Sequence, residues 1–262
     1  MITSLIGPRS ALFELKYQGG LSTATERPTS FTTTLGGKRK ALIGLRGRRE
    51  WKVSFNPVSS REIAGLIEVA RISSSVLWYP ADALGGNMLS PQAVSFESVP
   101  SNAAPAGLVA LPDGDVAQSI IHTGTGTITI GDAHGTFEGV PVRPGENVTV
   151  GAWGLNGTRF TGFWRDINLA SVSSWSTPTQ TFTGWQWAHT TLTPPAGAAY
   201  LSLAVSAGAQ YARPAVRWGS TVTSGPGKGC PQAIVSDLSE DLTGFDQNGA
   251  YGSINATVTE VG

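Results

Sequence analysis

The stretch ALIGLRGRREWKVSF, residues 41–55, decides the fold class. Ala41, Ile43 and Leu45 alternate with other residues, and beyond the Arg-rich turn Trp51, Val53 and Phe55 alternate again. A period of two puts each trio on one face of an extended segment, where it can be buried while the intervening residues meet water. Upstream, Phe31–Leu35 and Lys38–Leu45 flank Gly36-Gly37, a two-residue hairpin signal, and Ala11–Tyr17 reads as a first short strand.

Downstream the period changes once. Ser59 is placed to cap a helix and Glu62, three residues on, to complete a capping box. Ile63, Leu66, Ile67 and Ala70 then make one apolar stripe at helical spacing. Ser73-Ser74-Ser75 ends the helix, and Val76–Tyr79 is a strand stopped by Pro80.

Past Gly85-Gly86-Asn87 the chain is punctuated by Pro91, Pro100, Pro105 and Pro112. The strand candidates there are Thr127–Ile130, Val148–Trp153, Arg159–Trp164, Thr179–Thr183, Tyr200–Ser206 and Ala215–Trp218. Asn156-Gly157 reads as a hairpin turn between two of them, and Leu201, Leu203 and Val205 alternate. Short strands with frequent turn signals predict an antiparallel sandwich. After the break Gly225-Pro226-Gly227-Lys228-Gly229, Ala233–Ser236 is expected to close that sandwich. The alternating end YGSINATVTEV, 251–261, is expected to return to the first sheet. The fold class predicted is therefore mainly β. Residues 1–90, completed by 250–262, form an assembly domain with one helix, and 91–240 form an inserted sandwich.

Composition agrees. Charged residues are 14% of the chain, against about 25% in typical domains, while 33 of its 262 residues are glycine. The single cysteine, Cys230, excludes an internal disulfide and reads as a small buried or loop thiol. No signal peptide opens the sequence and no apolar run approaches the ~20 residues of a membrane span, so a cytoplasmically made, soluble chain is expected. The zero net charge is split: residues 1–95 hold 12 Lys/Arg and 6 Asp/Glu, and residues 96–262 hold 6 and 12. Such a split predicts two units with different partners, or copies that assemble side by side.

Enzyme chemistry is hard to place. His122, His134 and His189 are far apart, and the one weak metal-type cluster considered is His122 near Asp113 and Asp115. No G-x-S-x-G elbow occurs, and the Gly-Pro-Gly-Lys-Gly run lacks phosphate-loop spacing. The carboxylates Asp132, Glu138, Glu146 and Asp166 cannot be paired from sequence into a glycosidase site. The expectation is a non-enzyme without cofactor or metal.

Two features remain. Trp175, Trp185 and Trp187 offer flat apolar faces suited to sugar rings, with Asp166 as a polar partner; packing in the core is the competing role. Trp175 and Trp185, in Ser/Thr/Gly-rich surroundings, are expected to be exposed. The basic residues Lys38, Arg39, Lys40, Arg46, Arg48 and Arg49 have no aromatic among them, and with Lys52 they form a cluster that favours an acidic neighbouring subunit over nucleic acid.

The segments GLRGRREWKVSF (44–55), the helix 60–71 and LWYPADALGGNMLSP (77–91) resemble, in pattern and order, the assembly domain of distal tail or minor tail proteins of long-tailed actinobacteriophages. VRPGENVTVGAWG (142–154), WQWAHTTLTPPAGAAYLSLAV (185–205) and ARPAVRWG (212–219) resemble carbohydrate-binding-module-like jelly rolls of the same proteins. This resemblance implies a tube-like β-sandwich with one helix plus a jelly roll. It also implies a homo-oligomeric ring, commonly a hexamer, in the virion tail tip. Its partners would be the tail tube, tape measure and tail-tip hub proteins, with DNA only passing through the lumen. The outer domain would act as scaffolding or, as the alternative, as a glycan-binding adhesin at the host surface. The resemblance carries no catalytic residue.

Overall fold

A computed structural model describes residues 3–16, 21–26, 29–33, 39–43, 47–131, 139–246 and 249–261. The chain is mainly β, as the alternating patterns predict. Strands β1 (Thr3–Gly7) and β2 (Phe13–Lys16) pair antiparallel around a short turn of 3-10 helix at Arg9–Ala11. β3 (Leu21–Glu26) is followed by a separate antiparallel hairpin of β4 (Thr29–Thr33) and β5 (Arg39–Ile43). The glycine pair expected at the turn of that hairpin lies outside the described residues. β6 (Arg48–Ser59) runs directly into α1 (Ser60–Ala70), and β7 (Val76–Tyr79) follows.

Two one-turn helices absent from the sequence reading come next, α2 (Ala81–Leu84) and α3 (Pro91–Val94). Then come β8 (Ala103–Ala110), β9 (Val116–His122), β10 (Ile128–Thr129), β11 (Val140–Pro141), β12 (Val148–Leu155), β13 (Arg159–Arg165), β14 (Ser171–Ser176), β15 (Trp185–Leu192), β16 (Tyr200–Leu201), β17 (Ala204–Ser206) and β18 (Gln210–Trp218). Two long strands, β19 (Cys230–Asp246) and β20 (Gly249–Glu260), end the chain. Among the described residues no helix is long and apolar enough to cross a membrane.

The chain divides into two compact units, 1–8 with 12–78 and 232–262, and 9–11 with 79–231. In the first, strands order as β2-β1-β7-β19-β20-β6-β3 in one sheet. β20 lies antiparallel to β6, with Thr259 opposite Glu50 and Tyr251 opposite Ser59. Trp51, Val53 and Phe55 from β6, Ile254, Ala256 and Val258 from β20, and Ile63, Leu66 and Val69 from α1 are all buried. Each such large apolar side chain contributes about 1.5–3 kcal/mol through burial.

The capping box forms in full: Ser59 Oγ accepts from the Glu62 N–H, and the Glu62 carboxylate accepts from the Ser59 N–H at 3.0 Å. The buried stripe is Ile63, Leu66 and Val69 rather than Ile63, Leu66, Ile67 and Ala70, with Ile67 and Ala70 only half-buried.

The second unit has a five-stranded sheet, β15-β12-β18-β9-β8, and a sheet of β10-β17-β13-β16-β11 with β14 added beside β13. Val148, Val150, Ala152, Tyr211 and Val216 from the first, and Phe160, Trp164, Leu201 and Val205 from the second, are buried.

Four expectations are corrected here. Asn156 and Gly157 do form a tight turn, with φ of 63° and 130°, but β12 and β13 belong to different sheets, so the turn is a crossover and not a hairpin. Thr179–Thr183 is no strand; it makes one isolated bridge, Gln180 with Thr158, since Pro178 ahead of it brings no N–H to a ladder. Tyr200–Ser206 is two strands, interrupted where Ser202 turns its hydroxyl onto the Phe163 backbone, accepting from Phe163 N at 2.7 Å. Ala233–Ser236 does not close the sandwich; it pairs with 257–260 in the seven-stranded sheet.

The charge split also dissolves. The acidic residues 237–246 fold with the basic N-terminal strands, so the first unit holds eleven Lys/Arg against ten Asp/Glu, and the second seven against eight. The two units are close to neutral, and the polarity of the sequence halves does not divide them.

Candidate functional site

Three tryptophans of the five-stranded sheet, Trp153, Trp185 and Trp187, lie on one face, while Trp218 is opposite Val148 on the other. Pairing across neighbouring strands aligns Trp185, Leu155, Gln210, Ile121 and Ala104 in one lateral row. Ile121 is 38% exposed, and the other four are half-buried. The next row is Trp187, Trp153, Ala212, Ser119 and Gly107. Here Trp153 and Trp187 meet edge to face, with ring centroids 5.9 Å apart. Leu111, Ala117 and Ala212 pack with Trp153, and Val109, Trp185 and Trp187 flank them. Both indole N–H groups of the paired tryptophans have acceptors: Trp153 Nε1 donates to Ser224 Oγ at 3.0 Å, and Trp187 Nε1 to Val222 O at 3.3 Å.

Trp175 corrects the exposure expected for it. It sits on β14 opposite Gly162, points inward and is buried against Trp164 at 6.1 Å. The Ser-rich flanks face outward while the indole fills the space above Gly162, where a Cβ would come within 2.9 Å of it. Trp185 is half-buried, so only part of its ring faces outward. Asp166 is not beside the tryptophan rows in the strand pairing. Its Oδ1 accepts from the N–H groups of Asn168, at 2.9 Å, and Ala170, at 2.8 Å, which ties the loop after β13.

In the first unit, Arg48 is exposed on β6. Arg49 points to the other side and grips Glu260 through two bonds of 2.9 Å, with its guanidinium 4.8 Å from the Trp51 ring centroid. That arginine serves the fold of its own chain. Arg39 and Lys40 lie on β5, whose side chains are outside the described residues, as are Lys38 and Arg46 altogether.

The remaining candidates do not converge. His122 Nε2 bonds Gly126 O at 2.7 Å, while Asp115 pairs with Arg213. Glu146 pairs with Arg143 at 3.3 Å. His134, Asp132 and Glu138 lie outside the described residues. Among the described residues no group of three His, Cys, Asp or Glu side chains is placed to hold a metal ion. Cys230 is buried at the start of β19. Two phenols are perturbed. Burial pushes Tyr200 up to about 12 against the opposing pull of Arg9. Burial also pushes Tyr211 up to about 12, against the bond it accepts from Gly208 N.

Sequence reasoning missed Leu155, Gln210 and Ile121. Their row exists only through the lateral register of β15, β12, β18 and β9, and no linear spacing encodes it.

No family model matches the chain, and no curated protein matches it. Among solved structures it is similar to the enzymatically active domain of tailspike protein 4 of bacteriophage CBA120. The chain has distant structural similarity to a phage tailspike domain. The TM-score is 0.35 at 14% identity, covering 51% of this chain and 21% of that one. The likeness carries no residue role across to this chain.

Proposed function

We propose that the chain is a structural, non-catalytic component of a long-tailed phage tail tip, a distal tail protein that forms a ring between the tail tube and the host-recognition tip. The observation that carries this reading is the first unit. One antiparallel sheet is assembled from both ends of the chain, with a single amphipathic helix and a separate hairpin β4–β5 beside it. A β-rich unit with one helix supports the reading, since the resemblance in residues 44–91 implies an assembly domain with one helix, although this unit holds a single large sheet and not a sandwich.

Among the described strands β2 and β3 stand first and last in that sheet, and an edge strand is a template on which a neighbouring copy can add a strand. Arg48 and Lys52, both exposed on β6, and Asp237, Glu240 and Asp241, exposed on β19, supply opposite charges for a head-to-tail contact. The test is the solution mass of the full chain by light scattering, for the native protein and for Arg48→Glu/Lys52→Glu. The reading expects a closed oligomer that the double reversal shifts toward monomer. A native monomer at every concentration contradicts it.

A glycan-binding adhesin is the second reading, and the half-exposed Trp185 row favours it. Trp185 presents part of a flat ring, with the Gln210 amide on the same face. Binding on a glycan array that vanishes in Trp185→Ala supports this reading. An array with no binding leaves the sandwich as scaffold.

A further inference from the structure

We infer that residues 219–229 are a clasped strap lying over the Trp153–Trp187 pair, with Asn87 as the clasp, so that this pair is fully uncovered only when the clasp is released. The chain leaves β18 at Trp218 and enters β19 at Cys230 without any helix or strand between. It is nevertheless tied along its length, chiefly by donors from the sheet beneath. Gly219 N donates to Asn147 O at 2.8 Å. Ser220 O accepts from Thr191 Oγ1 at 3.3 Å. The two indoles then donate to Val222 O and Ser224 Oγ. Val222 is buried while Thr221 and Thr223 on either side are exposed, so the strap presents one side chain inward. Gly151 makes the room: a Cβ there would lie 2.6 Å from Trp187 Cζ2 and 3.0 Å from Val222 Cγ1.

Asn87 holds the far end. It is 2% exposed and uses its whole amide: Nδ2 donates to Pro214 O at 3.0 Å and Gly225 O at 3.2 Å, and Oδ1 accepts from Leu89 N at 3.2 Å and Val216 N at 3.1 Å. An asparagine side chain has no further strong bonds to make, and a buried network satisfied to this degree rigidifies whatever it joins. Here it joins β18, the segment before α3 and the strap. The backbone adds Lys228 N to Asn87 O, 3.0 Å, and Gly229 N to Leu89 O, 3.1 Å. Gly227 and Gly229 permit the approach, since a Cβ would fall 2.4 Å from Ser90 O and 2.0 Å from Met88 O. The Gly-Pro-Gly-Lys-Gly run is thus the clasped end of a strap and no phosphate loop. Lys228 adds an exposed ion pair with Asp82, 2.8 Å, which contributes little in solvent.

A segment held by side chains and lacking a backbone ladder opens before the strands beneath it. Lifting it uncovers two indoles beside Trp185, a stacking surface for a ring-shaped apolar ligand. The test uses the full chain carrying Asn87→Ala, read by amide hydrogen exchange and by acrylamide quenching of tryptophan fluorescence. Exchange at Val216, Lys228 and Gly229 is expected to rise about tenfold or more, as loss of a net hydrogen bond implies. Quenching should rise too, and the rise should disappear in the Trp153→Phe/Trp187→Phe background. Amides of β6 and β20 should not change. Unchanged strap protection, or equal acceleration in β6 and β20, overturns the inference. Val222→Ser, which leaves Asn87 intact, should raise quenching without altering exchange at Val216. It decides the question if Asn87→Ala does not fold, and no rise in quenching there also overturns the inference.

Discussion

Arg49 and Glu260 are 211 residues apart in sequence yet share two 2.9 Å bonds, and their side chains are only 11% and 8% exposed. A buried ion pair adds little net stability over an apolar pair, but removing one partner leaves an uncompensated charge. Glu260→Gln should therefore destabilise the first unit by about 3–5 kcal/mol, measured by denaturant unfolding. Arg49→Met/Glu260→Leu should recover much of that loss. Tyr200 and Tyr211 give a pH prediction. Burial pushes both phenols up from 10 to about 12 in the folded chain. A group that holds its proton more tightly when folded stabilises below its unfolded value and loses that contribution as pH rises through the folded value. Stability should thus fall between pH 10 and 12. Absorbance at 295 nm should show two late-titrating phenols whose ionisation tracks unfolding; early titration of all tyrosines would contradict this. The pair Arg49–Glu260 was invisible in the sequence, where Arg49 looked like one more member of a basic cluster.

Among the elements, α1 was the most legible, because a capping box and a periodic stripe are local signals. Ser59→Ala should cost about 1 kcal/mol by loss of the cap, and a thermal melt followed by circular dichroism should show a modest drop without loss of fold. The face of α1 was right at Ile63 and Leu66 and wrong at Ile67 and Ala70, since Ile67 and Val69 are both apolar and only the sheet decides which turns inward. β6 was legible from Trp51, Val53 and Phe55, whose alternation is local as well. β13 and β12 were found, but their Asn-Gly turn was assigned to the wrong topology: positive φ at two residues makes a reversal, and sequence does not say whether the strands it joins will pair. Trp175 fell to the same limit. Its neighbours are polar, but alternation on an edge strand placed it inward over Gly162.

For the molecule as a whole, the mainly β class followed from composition and period. The charge polarity of the two halves misled, because β19 carries its acids back into the first sheet. The candidate site was half legible: Trp185 and Trp187 stood out in the sequence as candidate contact residues, while the row across the sheet and the strap over Trp187 depend on contacts between distant segments.

The central claim, that the first unit assembles copies into a ring, is tested most directly by class-averaged electron microscopy of the purified full chain. The account predicts closed rings of uniform copy number with an open lumen. Isolated single-copy particles, at concentrations well above those in an assembling tail, would contradict it.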